Sequence, residues 1–180
     1  MKKMTCVHPR RAYNLMKSFI NTASDMIYMI DDETEKAEIL LHKGDSFMAL
    51  LGECINYDSE QEIYYNFPEL WAESSKIFRE YWCAKCPMLK GFSDITISLL
   101  HELGHLETND AVREYFPIHT RYLAIKGAEA IASNYKELNF IYFDLPDEKA
   151  ATEWAIDWLS DAENRKITKK FEKEFFKCFE

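Results

Sequence analysis

The sequence predicts an α+β fold, mostly helical, with a short antiparallel β-sheet. Three observations lead there. Apolar residues recur at steps of three and four over most of the chain, the spacing of amphipathic helices. Two short β-prone runs, 47–51 (FMALL) and 62–66 (EIYYN), flank a stretch rich in turn formers at 56–60 (NYDSE). No internal repeat, low-complexity tract or linker interrupts the 180 residues, so one domain over 1–180 is expected, long enough to enclose a core.

Pro9 suits the first turn of a helix. Tyr13, Met16, Ile20, Ala23, Ile27 and Ile30 continue it toward Asp31 and Asp32. The charged segment 33–42 reads as a solvated short helix or a loop. Residues 70–82 return to helical spacing, Cys86-Pro87 end that helix, and Lys90-Gly91 break the chain again. The next helix opens at Ser93 or Asp94, whose side-chain oxygens suit an N-cap. Its stripe is Ile95, Leu99, Leu103 and Leu106, widened by Ile97 and Leu100, and Asn109-Asp110 mark its end or the start of the next. Further helices are expected over 122–138, from Asp144 to about Leu159, and over 167–179. The aromatic run 139–143 (NFIYF) reads as β-prone.

Composition is ordinary for a globular chain, 47% hydrophobic and 29% charged, with a formal net charge of −9. That acidity argues against binding nucleic acid or an anionic membrane through the bulk field. No apolar run is long enough to span a bilayer, and the lysines at the start lack a following apolar segment, so no signal peptide is expected. Five cysteines at spacings that suggest no disulfide framework point to a reduced, cytoplasmic protein.

The chemistry lies in the helix after Ser93, which carries His101-Glu102-Leu103-Gly104-His105, an H-E-x-x-H motif. Residues four apart share a helix face, so both imidazoles aim at one point, and two neutral imidazoles are good zinc ligands. Glu102 sits about 100° around the helix. There a carboxylate lies beside the metal and can take a proton from water, the role of a general base. Gly104, lacking a side chain, is expected to leave room on the substrate side.

Catalytic zinc usually has three protein ligands and one open position. Downstream candidates for the third are Glu107, His119, Glu129, Asp144, Asp147, Glu148, Glu153 and Asp157. Glu107 points away from the histidine face, and His119 reads better as a surface residue or one that supports a ligand from behind. Glu148 is the strongest on physical grounds. It lies in a first helical turn with Ala151 and Ala155 on the same face, and small residues let two helix backbones approach closely. Its alternative reading is an ordinary first-turn acid complementing the helix dipole. Tyr115, Tyr122, Tyr142 and His119 are candidates for stabilising an oxyanion, with nothing to choose among them.

HELGH together with the helix from Glu148 through Ala151, Thr152, Trp154 and Ala155 to Leu159 resembles the ImmA/IrrE-type metallopeptidase family. That family pairs an H-E-x-G-H helix with a helix reading roughly E-x-x-A-N-x-F-A-x-x-L. Thr152 stands where the asparagine is usual and Trp154 where the phenylalanine is. The strand-like Ile63-Tyr-Tyr-Asn66 also resembles the segment ahead of the family's metal helix, so the resemblance covers about residues 60–160. It implies a small α+β zinc peptidase with His101, His105 and Glu148 as ligands and Glu102 as base. The implied cofactor is Zn²⁺, and the implied partner is a protein substrate such as a repressor-like regulator. The separate helix-turn-helix domain that many members carry is not seen.

Two rival readings remain. One is a catalytically inactive peptidase-fold binding protein, against which the intact His-Glu-His set argues. The other is a structural module of Cys83, Cys86, His101 and His105, which fits two-Cys, two-His zinc-finger spacing with fourteen residues between Cys86 and His101. Against it, Lys90 falls where a finger places its core aromatic, and the basic residues of a DNA-reading helix are missing.

Overall fold

The structure is a computed structural model, and it describes residues 7–23, 55–58, 62–65 and 77–179. Seven α-helices occur among them: α1 (Pro9–Ala23), α2 (77–85), α3 (Asp94–Tyr115), α4 (Ile118–Ile131), α5 (Tyr135–Phe143), α6 (Pro146–Ser160) and α7 (Ala162–Phe176), with a 3₁₀ turn at Pro87–Gly91. The expected α+β class is therefore corrected. The described chain is helical almost throughout, and among the described residues no sheet forms a layer. The β pairing among described residues is a ribbon of two four-residue strands, β1 (Ile55–Asp58) antiparallel to β2 (Glu62–Tyr65), with Ile55 opposite Tyr65 and Asp58 opposite Glu62. Two strands that short cannot enclose a core by themselves. Three residues of the expected turn, 56–58, lie within β1, while the expected strand at 47–51 and the segment 33–42 fall outside the described residues.

The aromatic run 139–143 is helical as well, and its packing shows why. On α5 Phe140 and Phe143 are three apart, on one face. Both rings meet Tyr81 of α2, with centroids 5.0 and 5.5 Å away, and Phe143 also meets Phe78 at 5.3 Å. The helix begins where Asn134 accepts from the Glu137 backbone N–H at 2.9 Å while Glu137 accepts from the Ser133 backbone N–H at 2.8 Å. These reciprocal bonds resemble a capping box and divide the helix expected over 122–138 into α4 and α5. Asn109-Asp110 likewise stop nothing. Helix α3 runs to Tyr115, and the chain turns only where Pro117 caps α4.

At the centre is α3, whose residues 96–104 are all buried. Ser93 caps it, accepting from the Thr96 backbone N–H at 3.2 Å. Glu172 of α7 strengthens that end by accepting from the Ser93 N–H and the Thr96 hydroxyl at 2.5 and 3.0 Å. Helix α1 buries Ala12, Met16, Phe19, Ile20 and Ala23 as one stripe and stacks Phe19 on Phe171 of α7 at 4.3 Å. Leu99, Leu100, Leu103, Leu159 and Phe175 fill the space between α3, α6 and α7. No helix among the described residues is long and apolar enough to cross a membrane.

Candidate metal centre

Helices α3 and α6 pack along each other, and small residues set their separation. Ala151 and Ala155 are fully buried against α3. A Cβ built on Gly104 would fall 2.2 Å from the Ala151 carbonyl oxygen. Gly104 therefore serves helix contact, not space for a substrate, which corrects the expectation from its missing side chain. This close approach brings the first turn of α6 over the histidine face of α3.

His101 Nε2 and His105 Nε2 lie 3.1 Å apart. Glu148 Oε2 lies 3.1 Å from the first and 3.4 Å from the second. An ion held tetrahedrally at about 2.0–2.1 Å sets donor–donor separations of roughly 3.3–3.4 Å. The three donors thus form a triangle of the size a small tetrahedral cation requires. Glu102 is also near, since its carboxylate and the two imidazoles offer ligand atoms within 4.8 Å of one another. The triangle closed by Glu148 is the tighter one, and it leaves Glu102 beside the donors rather than among them.

Burial sharpens the division between the two acids. Glu148 is only 3% exposed, and burial alone would raise its pKa. Its hydrogen bonds with His101 and His105 outweigh that and hold the carboxyl well below the usual range, so it stays ionised. Glu102 is 2% exposed, and its Oε2 has no hydrogen-bond partner. Burial pushes its pKa up, against the lowering influence of the two histidines. A carboxylate moved toward neutral pH, with one oxygen unengaged beside two imidazoles, is equipped to accept a proton. At His105, burial lowers the pKa, but the hydrogen bond with Glu148 and the surrounding acids leave it raised.

Other side chains orient these groups. His101 Nδ1 lies 2.8 Å from Thr152 Oγ1, four residues after Glu148 on α6. With Nδ1 protonated the imidazole donates to that hydroxyl, and the Nε2 lone pair faces the donor triangle. The Phe78 ring packs edge-on to His101 at 5.0 Å. Arg121 of α4 donates to Glu148 Oε1 at 2.8 Å, to the Tyr142 hydroxyl at 2.7 Å, and through Nε to Asp147 Oδ2.

Of the other third-ligand candidates, Asp147 engages Arg121, Glu129 pairs with Lys126, Asp144 with Lys85, and Glu153 with Lys149. His119 and Asp157 are exposed. Neither Glu107, Cys83 nor Cys86 belongs to the group of potential ligand atoms converging at the imidazoles. Among the oxyanion candidates, Tyr142 enters the network at Glu148, while Tyr115, Tyr122 and His119 are exposed. Sequence reasoning missed Thr152 and Arg121 as participants. Thr152 carried a readable signal, since four residues after Glu148 is the same helix face. Arg121 carried none, being 27 residues from Glu148 and on a different helix. No family model matches the chain, and neither a curated protein nor a solved structure matches it.

Proposed function

We propose that this protein is a zinc-dependent endopeptidase, with His101, His105 and Glu148 holding the ion and Glu102 as the general base. The observation that carries the reading is the pairing of a three-donor triangle of tetrahedral size with a buried, unengaged carboxylate oxygen on Glu102. Bound zinc supplies Lewis acidity, polarising a carbonyl and making water acidic enough to ionise near neutral pH. Glu102 takes the proton of the attacking water and delivers it to the departing amine, so one carboxyl acts as base and then as acid. Its raised pKa suits both halves of that cycle. Thr152 fixes the orientation of His101, and the Phe78 ring limits its movement. The resemblance to the ImmA/IrrE-type family suggests a repressor-like regulator as substrate, and Cys83, Cys86 and Cys178, which form no disulfide among the described residues, accord with a cytoplasmic site of action.

The test compares wild type with Glu102→Gln for zinc content, partner binding and proteolysis, using a co-encoded regulator as trial substrate. Glu102→Gln is expected to keep zinc and partner while cleavage falls 10²–10⁴-fold, the usual contribution of general acid–base catalysis. Equal cleavage by the variant refutes the mechanism. Wild type that binds zinc and partner without ever cutting makes the protein a binding module instead.

A further inference from the structure

The two oxygens of Glu148 face different partners. Oε2 meets the imidazole pair at 3.1 and 3.4 Å, and Oε1 accepts from Arg121 Nη2 at 2.8 Å. The guanidinium also grips Asp147, the residue before Glu148, through Nε. Its planar fork is thereby referenced to two consecutive acids in the first turn of α6, and it cannot follow Glu148 if that side chain rotates. A third contact, from Nη2 to the Tyr142 hydroxyl on α5, fixes the plane of the fork further. We propose that Arg121 is a positioning residue for the third metal donor, holding Glu148 so that it presents Oε2 alone to the imidazole pair. This inference rests on the metal-site reading above and deepens it.

Three physical reasons support this role. A carboxylate released at Oε1 can swing away from the imidazoles or offer both oxygens at once, and either change alters the donor set. Arginine suits the task because its donors lie in one rigid plane, whereas lysine is a point charge that cannot span two carboxylates with fixed geometry. Glu102, Asp147 and Glu148 also bring three carboxyl groups close together in a buried region, and Arg121 places a permanent cation against two of them. The arginine arrives on α4, whose fully buried side chain is Ala128, so the polar cluster is a principal tie between that helix and the centre.

Residues that orient a metal ligand typically change metal affinity 10–100-fold when replaced. The experiment measures zinc affinity by competition with a chromogenic chelator, and the visible spectrum of the cobalt(II)-substituted protein, for wild type, Arg121→Lys and His101→Ala. Arg121→Lys is expected to bind zinc 10–100-fold more weakly than wild type, with a cobalt spectrum altered in band position and intensity. Wild-type affinity and spectrum in Arg121→Lys overturn the proposal. Weakened binding with an unchanged spectrum also overturns it, because general destabilisation lowers affinity without altering the donor set, whereas a released carboxylate alters it. Should Arg121→Lys fail to fold, Asp147→Asn releases the fork from its second anchor while leaving the contact with Glu148. It should show the same spectral change with a smaller loss of affinity, and an unaltered spectrum overturns the proposal. Failure of the underlying reading looks different: wild type and His101→Ala would then bind zinc equally poorly.

Discussion

Gly104 of α3 lies so near Ala151 of α6 that a side chain of any size at 104 would meet the Ala151 backbone, with the carbonyl oxygen 2.2 Å from a built Cβ and the carbonyl carbon at 2.8 Å. The obstacle is main chain, so it cannot rotate aside. Glu148 sits three residues before Ala151, and the same contact that excludes a methyl group brings its carboxylate to the imidazoles.

Gly104→Ala should therefore force α6 outward. Overpacking of this kind typically costs about 1–3 kcal/mol, and a shift of α6 moves Glu148 off the donor triangle. Denaturant unfolding should show the loss of stability, and chelator competition a weakened affinity for zinc. A variant as stable and as tightly metallated as wild type contradicts the packing described for these two helices.

His101→Ala and His105→Ala should each abolish stoichiometric zinc, because two donors do not hold the ion as three do. Cys83→Ser with Cys86→Ser should retain both metal and fold, since neither thiol converges on the imidazoles. Elemental analysis decides between the two outcomes. Zinc retained in both histidine variants would sink the peptidase reading, and zinc lost from the cysteine variant would shift the metal to the Cys2His2 set.

Glu102→Gln has an expected effect on stability as well as on cleavage. The folded carboxyl titrates above the unfolded one, because burial outweighs the help of the histidines. Its favourable contribution is complete below the unfolded pKa and disappears as pH rises through the folded pKa. The wild type should thus fall behind Glu102→Gln as pH rises toward neutrality, by on the order of 1 kcal/mol for a buried, poorly partnered charge. The gap should close in acid, where the carboxyl is protonated in both states. Urea titrations from pH 4 to 8 with chelator present measure the difference. A gap that widens toward acid would mean that Glu102 is stabilised by its charge.

The HELGH spacing, the cap at Ser93 and the order of a histidine helix followed by an acid-led, alanine-rich helix were readable in the chain, because each depends on residues within a turn or two. Local patterns failed where they admitted two periods. The run 139–143 is short and aromatic, and only Phe78 and Tyr81 on α2 decide that it packs as a helix rather than a strand. Serine and asparagine at 133 and 134, with glutamate at 137, did spell out the start of α5 in local terms. The meaning of Gly104 was hidden for the opposite reason. A missing side chain reads equally as open space or as close contact until the neighbouring backbone is in place.

By itself, then, the sequence determined which helix carries the imidazoles and how they are spaced, since both follow from the 3.6-residue turn. Only the tertiary structure decided which of eight downstream groups faces them, and that Arg121 holds its outer oxygen. Those relations join α3, α4 and α6, and their distances are set by how closely helix backbones can approach, a property of packed pairs that no single stretch of chain contains.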